Sequence, residues 1–264
     1  MNTPLLPTFE FVEAPAPPFA PLAAFEMCDE SVRLGIFGSG SIEVSREGIS
    51  VLAPDALGYQ RTIDRLGQWA QAQWLATHGL RVMRGAVVAR QGKAVALIGG
   101  ARCGASVLAL VLSRRGWGLV SDGLVVIDEH GMLRALEPVV TLDTEATIGL
   151  PEDVPITRLT TGRDRVKVST TSHGDAELGA YVVIRVLQSL NQLAFERVPF
   201  TTDTRSALEG YQIAPLLGSE HRSPPIVEAP TWRIARPVVS ADPHSHTPPV
   251  LAALLTSALD SEVG

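Results

Sequence analysis

The stretch Gly99-Gly100-Ala101-Arg102-Cys103-Gly104-Ala105-Ser106 has the residue types and spacing to cradle a phosphate. It follows a continuous apolar run, Ala94-Val95-Ala96-Leu97-Ile98, and opens a segment with helical periodicity. A G-x-x-x-x-G turn in that setting is the frame of a P-loop, whose full pattern is G-x-x-x-x-G-K-[ST]. Each part has a physical task. Glycines let backbone N–H groups turn inward onto phosphate oxygens. The helix N-terminus adds partial positive charge. The hydroxyl ligates Mg²⁺, and the Lys sets a full charge between the β- and γ-phosphates. Gly99, Gly104 and Ser106 fit, with Ser106 as the metal ligand, but the lysine position is Ala105. The cofactors implied are ATP and Mg²⁺, without the charge that steadies a transferring phosphoryl group. Without the Lys, the same spacing also describes an ordinary tight turn before a helix.

The elements that must position this loop follow from the flanking residues. Residues 85–89 read as a short apolar strand, Gln91-Gly92 as a turn, and residues 94–98 as a strand buried on both faces. A helix is expected over residues 105–115, closed by Gly116, then strands at 119–120 and 124–127 around Ser121-Asp122-Gly123. Further on, residues 133–141, 166–170 and 181–187 read as strands, and residues 203–218 contain a helix. Prolines from Pro224 to Pro249 punctuate the rest, before a short helix near residues 250–259.

Ahead of the loop, residues 1–25 hold six prolines and read as an extended or disordered lead-in. Val32, Leu34 and Ile36 then alternate with Ser31, Arg33 and Gly35, and Ile42, Val44, Ile49 and Val51 continue the period between Gly turns. This predicts a small antiparallel sheet. Residues 61–78 switch to helical spacing, with Ile63, Leu66, Trp69, Ala70 and Trp74 on one stripe, both Trp expected in the core, and Gly79 as the stop. The organisation expected is a lead-in at 1–25, a β-rich region plus helix at 26–78, a P-loop core at 79–240 and a tail at 241–264.

The order Arg84-Gly85, the loop from Gly99, Arg115-Gly116 and Val120-Ser121-Asp122-Gly123 resembles the catalytic domain of the HPr serine kinase/phosphorylase family. There a His-Gly opens a strand, and a P-loop, a helix ending in Arg-Gly and a strand ending in paired Asp follow. The resemblance runs without a gap from Arg84 to Gly123 and more weakly over residues 80–235. The β-rich region before it looks like the lead-in of short family members, several of which sit in peptide-modifying pathways. The resemblance implies an α/β fold, a P-loop mixed sheet with flanking helices, and a possible homo-oligomer. Residue by residue, the family's His falls on Arg84, its P-loop Lys on Ala105, and its metal-ligating hydroxyl on Ser106. Its first Asp, the acid or base acting on the seryl hydroxyl, falls on Asp122, and its second on Gly123. Glu145 is the one candidate for its downstream metal-binding Glu.

Arg84, Ala105 and Gly123 thus depart together, on three separate elements. The leading reading is a catalytically degenerate, kinase-like protein, not an enzyme, that acts by binding a protein or peptide and retains nucleotide or anion binding at the loop. The alternative is an active ATP-dependent serine kinase with Asp122 as base and Arg102, Arg84 or Lys167 replacing the Lys. A third is an unrelated α/β enzyme in which the loop is only a turn. For Arg102 and Lys167 the competing reading is a solvated surface cation. For Arg84 it is a strand residue that needs a partner if buried. Cys103, near a helix N-terminus, suits a redox switch or simple loop filling, and His244 and His246 lack further ligands.

Composition narrows the classes. Net charge is −6 with no Lys/Arg block, which argues against nucleic acid. Cys28 and Cys103 form no zinc spacing or disulfide framework. No run approaches the ~18 apolar residues of a membrane span, so a soluble cytoplasmic protein is expected. Of the 22 basic residues only Lys93 and Lys167 are Lys. This bias accounts for scarce lysine, but not for a neutral residue at position 105.

Overall fold

Alternation of apolar and polar residues builds the first sheet. The computed structural model describes residues 6–15, 24–27, 30–36, 38–137, 139–143, 156–159, 163–167, 174–187, 190, 193–217, 223–237 and 252–258. They form two compact units: Met1–Val82 with Arg158–Arg163 and Ile213–Ser223, and Met83–Thr157 with Asp164–Gln212 and Pro224–Gly264.

In the first unit, strands β1 (Phe9–Glu13), β2 (Ala24–Met27), β3 (Ser31–Ile36), β4 (Gly40–Ser45) and β5 (Ile49–Ala53) order as β1-β5-β4-β3-β2. The register aligns Phe25, Leu34, Ile42, Val51 and Phe11 across one face. On the other face Arg33 stands between Glu26 and Glu43 and forms ion pairs with both. Burial pushes the Glu43 carboxyl up, but hydrogen bonds from Arg33 and Ser31 and the charge of Arg33 bring it below its ordinary range. Helix α1 (Ala56–Thr77) packs on β4 and β5. Asp55 caps it, accepting the Gly58 N–H at 2.6 Å. Trp74 is buried and Trp69 half-buried, as the stripe implies, and Gly79 follows with φ +80°. The lead-in contains a strand, β1, pairing in parallel with β5; Phe9-Glu10-Phe11-Val12 alternates between the prolines that obscured it.

The second unit is built on β7 (Lys93–Gly99). It belongs to a seven-stranded mixed sheet with β6 (Arg81–Arg90), β8 (Gly118–Ile127), β9 (Met132–Leu133), β13 (Ala176–Leu187), β14 (Ala194–Val198) and β15 (Thr231–Pro237), ordered β14-β15-β13-β7-β6-β8-β9. Gln91-Gly92 closes the β6–β7 hairpin with φ of 54° and 82°, the left-handed pair that matches strand twist. Val95 and Leu97 face one core and Ala94, Ala96 and Ile98 the other, so β7 is buried on both sides as predicted. Helix α2 (Ala105–Ser113) and the helical residues 252–258 cover the first face through Leu108, Leu112, Ala252 and Leu255. Helix α3 (Thr202–Glu209) covers the second through Leu208. A three-stranded sheet orders as β10-β12-β11, from β10 (Val139–Asp143), β11 (Ile156–Arg158) and β12 (Arg163–Lys167).

Other expectations change. The strands expected at 119–120 and 124–127 are one continuous strand, β8, bent at Gly123 with φ +79°; Asp122 therefore sits within a strand and not at its end. The proline-punctuated region from Pro224 holds β15, which Pro230 precedes and Pro237 ends, and β14 forms before it where no element was expected.

Gly85 has φ +157°, and a Cβ there would collide with the Leu97 carbonyl oxygen. Gly85→Ala should lower stability by about 3 kcal/mol or more through forced separation of β6 from β7. A urea midpoint unchanged from the parent would contradict this.

Candidate functional site

The end of β7 is fixed from both sides. Gly99 is the last residue paired in parallel with β13, opposite Ile184, and Ile98 pairs with Gly85 of β6. The chain must leave the sheet there without a side chain: a Cβ on Gly99 would lie 2.5 Å from Cys103 Sγ and 2.8 Å from the Ile184 carbonyl oxygen. The first loop glycine is thus required because Cys103 folds back over it. The Cys103 N–H donates to the Gly100 carbonyl at 3.1 Å, and the Leu108 N–H donates to that of Gly104 at 3.0 Å, the first bond of α2. Arg102 and Gly104 carry φ of 61° and 95°. Gly104, which precedes α2, has no side chain to cap it, and the Ala105 N–H of the first turn is bonded to the Cys103 thiol.

A residue from the far end of the chain completes this arrangement. Arg236 Nε donates to the Cys103 carbonyl and its terminal nitrogen to the Arg102 carbonyl, both at 2.9 Å. The order β15-β13-β7, all parallel, brings Arg236 to the same sheet end as Gly99. With trans peptides, carbonyls turned toward Arg236 turn the N–H groups of Cys103 and Gly104 the other way. Sequence reasoning missed Arg236. Its signal was the strand Thr231-Trp232-Arg233-Ile234-Ala235-Arg236, with Trp232 and Ile234 alternating between two prolines.

The expected site residues divide as follows. Gly100, Ala101 and Arg102 are exposed, Gly104 and Ser106 half-buried, and Ala105 only 6% exposed, its methyl packed in the core beside Leu108. Asp122 is half-buried, and its Oδ2 accepts the Thr141 N–H of β10 at 3.0 Å. Gly123 lies in the left-handed region with φ +79°. Arg84 is exposed, with its N–H bonded to the Tyr211 carbonyl at 3.2 Å, so it needs no buried partner. Lys167 ends β12, the neighbour of β10. Glu145, His244, His246 and Cys28 lie outside the described residues.

Burial raises the Cys103 thiol pKa; the Ala105 N–H and Arg236 oppose this, and Asp122 adds to it. Cys103 as a residue is 5% exposed, which matches loop filling and not the thiolate that a helix N-terminus favours.

Backbone amides at a helix start suit anion oxygens in general; here the Cys103 N–H is bonded to the Gly100 carbonyl and the Ala105 N–H to the Cys103 thiol. The metal side is less complete: one hydroxyl, Ser106, and one carboxylate, Asp122, already bonded through Oδ2. Among the described residues no group of three or more His, Cys, Asp or Glu can hold a metal. A cavity of about 560 Å³, lined by residues including Arg197, Phe200, Glu228 and Thr231, opens at the start of β15, the opposite strand end from Arg236.

No family model matches the chain, and no curated protein matches it. Among solved structures, the HPr(Ser) kinase/phosphatase from Coxiella burnetii aligns at 16% identity over 69% of this chain and 99% of that one, with a TM-score of 0.35.

The raised thiol pKa has a signed consequence. As pH rises the unfolded chain loses its thiol proton first, so stability present below the ordinary value of 9.0 is lost above it, toward the folded pKa. In a Cys28→Ser background, urea midpoints should fall more steeply above about pH 9 than in the same background carrying Cys103→Ala. Parallel slopes would remove Cys103 as the cause.

Proposed function

We propose that this chain is a catalytically degenerate kinase-like protein of the HPr kinase type, acting through a protein or peptide partner while its loop keeps an anion- or nucleotide-binding shape. The observation that carries the reading is at position 105. The residue where a P-loop needs a mobile cation is a buried Ala, and the guanidinium that reaches the loop, Arg236, is bonded to loop carbonyls. Amides without a charge bind phosphate but do not steady a transferring phosphoryl group. The proposed setting is soluble and cytoplasmic, with no nucleic acid or membrane partner and with self-association as a homo-oligomer. Among the described residues no helix is long and apolar enough to cross a membrane.

A second reading, an active serine kinase, draws support from Asp122, whose charge acts on the loop at Cys103, and from the exposed Arg102. Asp122 would be the base and Arg102 the cation.

Calorimetric titration separates the two. The degenerate protein should bind MgATP no tighter than about 1 mM and transfer no phosphate to seryl peptides, while Ala105→Lys should gain at least about tenfold in affinity. Magnesium-dependent binding in the low micromolar range, about 1–10 μM, abolished by Ser106→Ala and followed by phosphate transfer that Asp122→Asn removes, would establish the kinase instead.

A further inference from the structure

We propose that Arg236 is a latch: a positioning residue that holds the loop in its amide-inward form and keeps the Cys103 thiol covered. The inference goes beyond the functional reading above and stands whether or not a nucleotide binds.

Three independent features meet at this contact. The first is the fork itself. A guanidinium presents donors in a fixed planar fork, and two of them take the carbonyls of consecutive residues, Arg102 and Cys103, both at 2.9 Å. Only a loop whose two successive peptide planes face the same side satisfies both bonds. The second is backbone conformation. Arg102 holds φ 61°, a region that costs a non-glycine residue about 1 kcal/mol or more and persists only when neighbours impose it. The bond to its own carbonyl is the contact from outside the loop that imposes it. The third is the place of the guanidinium beside the start of α2: a Cβ built on Gly104 would lie 3.8 Å from Arg236 Cζ, at ordinary contact distance.

The other side of the loop carries Cys103, pressed between Gly99 and the α2 core and 5% exposed. When the guanidinium leaves, the carbonyls lose their common direction and Arg102 relaxes out of the left-handed region. The turn that folds Cys103 inward then opens. Arg233, three residues earlier on the same strand, is bonded to Glu196 and has no part in this. It provides the internal control.

The test uses the full-length chain with Cys28→Ser, leaving Cys103 as its single thiol. Iodoacetamide labelling under native conditions, read by mass spectrometry, reports opening of the loop, and hydrogen exchange at residues 100–106 reports where opening occurs. Arg236→Ala should label at least about tenfold faster than its parent, with faster exchange confined to the loop, and Arg236→Lys should fall between them. Arg233→Ala should label at the parental rate. A rate for Arg236→Ala within about twofold of the parent overturns the latch, as does equal acceleration in Arg233→Ala, which would mean that β15 as a whole has loosened. If Arg236→Ala does not fold, Arg236→Lys decides: acceleration supports the latch and an unchanged rate overturns it.

Discussion

Everything in the second unit depends on β7 being buried on both faces and paired on both edges. Val95 and Leu97 lie in one core, Ala94, Ala96 and Ile98 in the other, and the backbone is spent on β6 and β13. Such a strand has no place for a polar side chain. Chemistry can begin only where the strand stops, and Gly99 is where it stops. The packing of Cys103 over Gly99 and the first bond of α2 then follow from turning the chain out of a crowded sheet without a Cβ.

The loop that results follows the glycine spacing of a phosphate cradle, but its charge is arranged differently. In the complete P-loop pattern, a Lys inside the turn reaches toward the ligand. Here the inside carries the methyl of Ala105 and the cation approaches from outside, through Arg236, to the carbonyls. The same guanidinium that organises the backbone has two of its donors committed in doing so. Loop geometry and a reactive charge are therefore separable properties, because separate residues would supply them.

Much of this was legible in the residues, and the failures have identifiable causes. β7, the Gln91-Gly92 turn and α2 could be read because a continuous apolar run, a turn dipeptide and a change of period are local signals. The sheet of the first unit could be read from its period of two. β8 was divided because Ser121-Asp122-Gly123 looks like a turn, whereas one glycine with positive φ bends a strand without ending it. β1 and β15 were hidden by flanking prolines that bound strands as readily as they break them. The place of the loop between β7 and α2 was read, but Arg236 was not, because its contact depends on a pairing of distant strands that no local pattern encodes.

That distance has a consequence for how the protein is made. The guanidinium that sets the loop lies 133 residues beyond Cys103. A chain emerging from the ribosome finishes β7 and α2 long before β15 exists, and a domain generally folds as a unit. The loop is thus among the first parts of the core to be synthesised and among the last to reach its final shape. Throughout that interval Cys103 is held only by its neighbours, and a thiol that is protected in the finished protein is open to chemistry during its birth.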